Sequence, residues 1–181
     1  MEKLATWSKS ILLCYNYNDS IVKSIDETLE KFVNIGFGSK HFERGYSTEE
    51  YLFELQRLEK RSVKINLLKQ IVDEVLGLIT PYSANIIKDK IFNNLSYSQL
   101  ADKNNISLRS AFRHYDIALQ EFENSLNFAG HTEEWFNDNY GNEVFMVRFN
   151  ERVKNLNEIK IVCQNSKAPC VKEKLAVIVL A

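Results

Sequence analysis

Two arginines, Arg109 and Arg113, are the side chains of this sequence whose type and spacing best fit a defined chemistry. Residues four apart lie on the same face of a helix. An arginine side chain can donate two hydrogen bonds to one guanine, which contributes ~1–3 kcal/mol of discrimination against the wrong base, and it also pairs with phosphate. The chemistry that this pair could perform is therefore nucleic-acid recognition. The alternative is an ordinary solvated face on a helical protein-interaction domain.

The other reactive side chains do not form a recognisable catalytic or metal-binding pattern. A nucleophilic site needs a Cys or Ser beside a His and an orienting carboxylate. Cys14 falls on an apolar helical face, and His41 has no evident carboxylate partner. His131 is followed by Glu133 and Glu134, which are too few ligands at metal spacing. We therefore expect no enzymatic activity, no bound metal and no cofactor.

Residues 95–122 predict two helices joined by a tight turn, and this stretch carries both arginines. Ser96 or Ser98 can cap the first helix, because a short side-chain oxygen accepts from the free N–H groups of the first turn. The asparagine pair at 104–105 ends it, since asparagine tolerates the left-handed backbone conformation. Ser107 caps the second helix. That helix repeats apolar residues at helical spacing, which predicts one buried stripe formed by Ala111, Tyr115, Ala118 and Phe122.

The same stretch resembles the helix-turn-helix of region 4 in bacterial sigma factors of the sigma-70 class. The resemblance covers roughly residues 82–126, about a quarter of the chain. Asn105 occupies the turn where the family usually has Gly, and the acidic residues Glu121 and Glu123 stand where the family is usually basic. The positions that match the family pattern are Leu95-Ser96, Gln99, Leu100-Ala101, Ile106-Ser107, Ala111 and Tyr115-x-x-Ala118.

The resemblance implies a transcription regulator of the sigma-factor type. Region 4 of that family reads the promoter −35 element and touches RNA polymerase, so the implied partners are double-stranded promoter DNA and core RNA polymerase. The N-terminal half of the second helix of such a unit faces base edges in the major groove. A contact of His114 with phosphate and a half-buried structural role for it both remain open. The residues that we predict to contact DNA are Ser98, Gln99, Ser107, Leu108, Arg109, Ser110, Phe112, Arg113 and His114.

Composition favours a mainly α-helical protein without a strong overall charge. The chain has 181 residues, of which 45% are hydrophobic and 12% aromatic, and only six are Gly and two Pro. Its net charge of −1 and pI near 6.3 differ from the basic signature of a stand-alone nucleic-acid binder. Three cysteines without zinc spacing and an N-terminus without a signal-peptide layout predict a reduced, cytoplasmic setting. We expect no membrane association, because the apolar run at the C-terminus is far too short to span a bilayer.

The chain before the two arginines predicts further helices. Residues 2–34 predict helix with a break at 16–19, and residues 47–79 predict one long helix that starts on a Ser-Glu capping box. A proline then begins a helix over 82–94, which would be the third helix of a tri-helical unit. The long helix offers nine apolar residues for burial, namely Leu52, Leu55, Leu58, Val63, Ile65, Leu68, Ile71, Val75 and Leu78.

The pattern is less regular toward the C-terminus. Thr132 can open a short helix, and residues 144–149 fit either strand or helix. The β-branched segments 158–163 and 171–180 predict a small β-hairpin, although a helix could also begin in the second segment. The predicted organisation is an N-terminal helical domain, a helix-turn-helix domain and a C-terminal extension, at residues 1–80, 81–128 and 129–181.

Three functions remain open from the sequence. The first is a sigma-like factor that directs RNA polymerase to a promoter. The second is a conventional helix-turn-helix regulator that dimerises through the long helix and binds an operator without polymerase. The third is a protein-interaction module that keeps the fold but not DNA binding, which the acidic end of the second helix favours. Residues 1–80 hold no compact aromatic and basic run of the kind that binds single strands, so in the first case region 2 is diverged or replaced.

Overall fold

The computed structural model describes residues 6–35 and 47–165 of the chain. These residues form eight α-helices and one short π-helical turn, and no strand occurs among them. The predicted mainly α-helical fold class is therefore confirmed. The elements in chain order are α1 (Thr6–Tyr15), α2 (Asn18–Ile35), α3 (Thr48–Leu78), α4 (Pro81–Ile87), the π turn (Lys88–Phe92), α5 (Tyr97–Lys103), α6 (Leu108–Phe128), α7 (Glu133–Tyr140) and α8 (Val144–Asn165).

Helix α1 is the element around which the other helices pack. It contacts α3, α6, α7 and α8, and Trp7, Ile11 and Leu12 are buried in the core that these helices share. Ser10 is buried as well, and its hydroxyl donates to the Thr6 carbonyl at 2.9 Å. A helix with buried residues on most of its sides lies inside a protein. Helix α1 is therefore the central helix of the bundle.

Helices α2 and α3 form an antiparallel pair. Near the start of α2, Asp19 pairs with Lys69 Nζ at 2.6 Å. Near its end, the ring centroids of Phe32 and Tyr51 lie 6.0 Å apart. Ser47 caps α3 in the predicted capping box. The long helix predicted over 47–79 is thereby confirmed as α3.

A buried asparagine lies at the break between α1 and α2. Asn18 Nδ2 donates to the Ile65 carbonyl at 3.2 Å, and Asn18 Oδ1 accepts from Cys14 Sγ at 3.3 Å. The predicted break is confirmed. Helix α2 begins at Asn18, inside the predicted break, and these two contacts hold Asn18 in the interior.

Burial along α3 is uneven, which corrects one part of the prediction. Its C-terminal half buries four of the predicted core residues, namely Ile65, Leu68, Ile71 and Val75. Three others are exposed instead, namely Leu52, Val63 and Leu78. The main apolar core takes residues from α3 from Leu68 onward. The first half of α3 therefore has one face against α2 and other faces in solvent.

The helix predicted over 82–94 is α4 followed by the π turn. The Asn93 N–H donates to the Lys88 carbonyl at 2.9 Å, which is the five-residue spacing of a π-helix. Asp89 in this turn is buried, and its carboxylate accepts from Lys103 Nζ at 2.7 Å and from Asn93 Nδ2 at 3.0 Å. The prediction of one continuous α-helix was wrong here, since the last residues have π-helical spacing where Asp89 pairs with Lys103 of α5.

Helix α8 replaces the first half of the predicted β-hairpin. Residues 158–163 lie in α8, and so do residues 144–149, which fitted either strand or helix. Met146 and Val153 are two helical turns apart and both are buried, and α8 packs against α1. In the segment 144–149, burial of Met146 in the core outweighs the local β propensity. The second hairpin segment, 171–180, lies outside the described residues.

One apolar core joins the N-terminal, central and C-terminal parts of the described chain. Its members include Trp7 of α1, Val72 of α3, Phe122 of α6 and Met146 of α8. The short helix predicted after Thr132 is confirmed as α7 and adds further residues to the same core. The core therefore crosses both predicted domain boundaries, and the division of function among the three segments stays a prediction.

Alkaline pH is expected to destabilise the protein. Burial raises the pKa of Cys14 from 9.0 to about 12, and burial raises the pKa of Tyr140 from 10.0 to about 12. Both groups keep their protons in the folded chain at pH values where the unfolded chain has lost them, so stability falls as pH rises. Urea midpoints should be constant up to about pH 8 and fall between about pH 9 and pH 12.

Two tyrosine variants test the cause of this alkaline loss. Tyr140→Phe removes a buried hydroxyl, which donates to the Lys64 carbonyl at 3.0 Å, and should make the fall with pH shallower. Tyr17→Phe removes a hydroxyl from a ring that is 45% exposed, and should leave the fall unchanged. Equal wild-type midpoints at pH 8 and pH 11 would contradict the expectation.

Candidate nucleic-acid interface

The first helix of the predicted DNA-contacting unit is α5, and its limits follow from local capping. Ser96 is the N-cap, since its Oγ accepts from the Gln99 N–H at 3.2 Å and its own N–H donates to Gln99 Oε1 at 2.8 Å. Ser98, the other predicted cap, lies inside α5 and is exposed. Asn105 follows the helix with a φ of 51°. The predicted left-handed asparagine turn is therefore confirmed.

The second helix, α6, begins at the predicted cap. Ser107 Oγ accepts from the Ser110 N–H at 3.1 Å and lies 2.8 Å from Ser110 Oγ. Ser107 and Ser110, two of the three serines predicted to contact DNA, thus hold the first turn of α6. The predicted apolar stripe is also confirmed, because α6 packs on α4 and α5 through it. Ala111, Ala118 and Phe122 are fully buried, and Tyr115 is partly buried.

The remaining predicted contact residues lie on the outer side of this unit. Gln99 is exposed on α5, although its Oε1 is held by the capping box. His114 is half-buried, with its ring edge-on to Tyr82 at 5.4 Å between centroids, so it has a structural contact. The residues exposed on the first two turns of α6 are Leu108, Arg109, Phe112 and Arg113.

The two arginines are the positive end of a longer polar stripe on α6. Within the described chain neither Arg109 nor Arg113 forms an ion pair with a carboxylate. Asp116 lies on the same face of α6, one turn further along. The face then carries exposed amide side chains, namely Gln120, Asn124 and Asn127. Positive charge on this face is therefore confined to the N-terminal half of α6, the part that enters a major groove in helix-turn-helix proteins.

The acidic residues in the second half of α6 are engaged in contacts within the chain. Glu121 Oε2 accepts from Thr80 Oγ1 at 2.9 Å, and Thr80 is the N-cap of α4. Glu123 Oε2 accepts from Ser8 Oγ of α1 at 2.9 Å. These carboxylates attach α6 to α4 and α1. No sequence signal could have shown this, since Ser8 and Glu123 are 115 positions apart.

An aromatic cluster supports the exposed side of α6, and the sequence reasoning missed it. The rings of Tyr97 and Phe112 stack with centroids 3.9 Å apart and planes at 26°. Tyr115 meets Tyr97 edge-on at 5.8 Å, and Lys90 Nζ lies 4.8 Å from the centroid of the Tyr97 ring. Burial raises the pKa of Tyr97 well above its usual range. The cluster joins the π turn, α5 and α6, and it fixes where Phe112 points.

The other predicted reactive residues are not brought together. Cys14 is buried in α1, His41 lies outside the described residues, and His131 packs on Trp135 at 4.4 Å between ring centroids. Burial lowers the pKa of His131, and the nearby charge of Glu74 opposes that shift. Across residues 6–35 and 47–165, no group of three or more His, Cys, Asp or Glu side chains could hold a metal ion. In the same ranges no helix is long and apolar enough to cross a membrane.

The resemblance to region 4 depends on the residues named above. No protein-family model matches this chain, and neither a curated protein nor a solved structure is significantly similar to it.

Proposed function

We propose that α5 and α6 form a sigma-region-4-like helix-turn-helix, and that the protein uses it to bind promoter DNA and direct RNA polymerase to initiate transcription. The observation that carries the proposal is the exposed pair Arg109 and Arg113 on the first turns of α6, without a carboxylate partner in the described chain. An arginine with no internal partner keeps all of its donors for guanine and phosphate.

The local geometry supports this use of α6. A short capped helix, a left-handed turn at Asn105 and a second capped helix leave one face of the N-terminal half of α6 open to solvent. In helix-turn-helix proteins that half lies in the major groove, while the preceding helix approaches the phosphate backbone. Ser98 and Gln99 lie exposed on α5 and would meet phosphate. A partner polymerase would supply the affinity that a chain with a net charge of −1 lacks.

A protein-interaction module is the second candidate, and one observation favours it. Leu108 and Phe112 are exposed apolar side chains one turn apart on α6, and such pairs occur in helix-mediated protein interfaces. A conventional dimeric regulator is favoured in turn by the exposed apolar residues on one side of α3, which include Leu52, Val63 and Leu67.

Co-purification with core RNA polymerase, followed by footprinting on promoter DNA, separates these functions. The sigma-like function predicts that the protein comes down with core polymerase in near-stoichiometric amount and that the complex protects promoter DNA. A dimeric regulator would protect DNA without polymerase and would run as a dimer in analytical ultracentrifugation. An interaction module would protect no DNA in either condition, and that result would reject the proposed function.

A further inference from the structure

We propose that Phe112 is a specificity-determining residue that contacts the 5-methyl group of a thymine next to the guanine read by the arginines. This inference depends on the proposed function of α6. Its basis is an exposed aromatic ring beside the two arginines on the first two turns of α6, held against α5 by a ring contact behind it. Phe112 is 43% exposed, although its ring stacks on Tyr97 at 3.9 Å.

The stacking explains why Phe112 can act as a rigid probe. Tyr97 is itself held by the edge of Tyr115 at 5.8 Å and lies under Lys90 Nζ at 4.8 Å. An exposed Phe without such support would lose side-chain entropy when it bound. Because Phe112 already has its orientation in the free protein, a contact with DNA carries little of that cost.

The position of Phe112 on α6 indicates which chemical group of the DNA it would contact. It is three residues after Arg109 and one before Arg113, on the side of α6 that faces the first turn of α5. A helix rises ~1.5 Å per residue, so Phe112 lies about 4.5 Å along α6 from Arg109, which corresponds to one or two base pairs at ~3.4 Å each. Among the four bases, thymine alone presents a methyl group in the major groove, and phenylalanine is one of the side chains that contact it.

The test begins with a random 20-bp duplex pool, from which the wild-type protein with core RNA polymerase selects its preferred sites. Each thymine of the selected duplex is then replaced singly by deoxyuridine, which removes only the methyl group. Wild-type binding should become about fourfold weaker at one or two positions, the effect of one buried methyl group, and stay unchanged at the others. Replacing guanines singly by 7-deazaguanine, which lacks the N7 acceptor, should locate the guanine within two base pairs of that thymine.

Two variants assign the methyl contact to Phe112. Phe112→Ala should bind the thymine and deoxyuridine duplexes equally, at the affinity that wild type shows for deoxyuridine, and its salt dependence should not change because no charge is lost. Ile117→Ala is the matched control, since Ile117 is an exposed apolar residue of α6 about 140° around the helix from Phe112. It should keep the full sensitivity to deoxyuridine.

Failure of this inference differs from failure of the proposed function. If duplexes are selected but no thymine position is sensitive to loss of its methyl group, Phe112 does not read thymine and the inference is wrong. The same conclusion follows if Phe112→Ala retains the sensitivity of wild type. If no duplex is enriched at all, α6 does not bind DNA, and the proposed function fails together with the inference.

Discussion

Replacing Arg109 and Arg113 together with alanine is expected to abolish promoter-directed transcription and to leave the fold intact. Both side chains are exposed and form no ion pair within the described chain, so their removal leaves no buried group without a partner. If each arginine contributes ~1–3 kcal/mol to base recognition, binding of the preferred duplex should weaken about 30-fold or more. Circular dichroism and polymerase binding should match wild type.

The salt dependence of binding distinguishes what each arginine touches. An arginine that contacts phosphate should lower the slope of log K against log salt by about one unit when it is removed. An arginine that contacts a base should instead relax the sequence preference at one position. Single Arg109→Ala and Arg113→Ala variants, titrated across a salt series with and without core polymerase, assign each role separately.

A matched control removes two positive charges elsewhere on the surface. Lys23 and Lys31 are exposed on α2, so a double change of both to alanine alters the net charge by the same amount as the arginine double change. This control should bind DNA like wild type at every salt concentration. Equal losses in both double variants would mean that net charge, and not the α6 face, governs binding. No effect of the arginine change on a protein that does bind DNA would refute the role assigned to α6.

Ala111→Glu is expected to unfold the α4–α6 region. Ala111 is completely buried, and α6 packs there against α4 and α5. A glutamate at this position would bring a methylene group and a carboxylate into an apolar site that offers no partner for the charge. Because the surrounding core is shared with α1 and α3, the loss should reach about 4 kcal/mol or more and extend to the whole described fold.

Urea unfolding followed by circular dichroism measures this loss. Asn124→Glu supplies the control, since Asn124 is an exposed residue of the same helix and a carboxylate there stays in water. This control should unfold at nearly the wild-type midpoint. An Ala111→Glu protein that is folded and fully active would show that the packing of α6 against α4 and α5 is not as described.

The caps and turn of the α5–α6 unit were predictable because their causes are local. Ser96 and Ser107 each accept from a backbone N–H three residues further on, and Asn105 adopts the left-handed conformation that asparagine tolerates. Such signals occupy only a few consecutive residues. The apolar stripe of α6 was predictable for a related reason, since its spacing repeats within one helix. The exposure of Arg109 and Arg113 follows from the same periodicity.

The sequence by itself therefore determined the helical class, the turn between α5 and α6, the start of α6, and the face on which the arginines stand. Tertiary structure alone decided the features that depend on distant partners. Asp89 of the π turn pairs with Lys103 of α5, and Phe112 of α6 stacks on Tyr97 of α5. Glu123 looked like a charge opposed to DNA, yet it accepts a hydrogen bond from Ser8 of α1. Local spacing carries no information on such pairs, because their members lie on different helices that only the tertiary fold brings together.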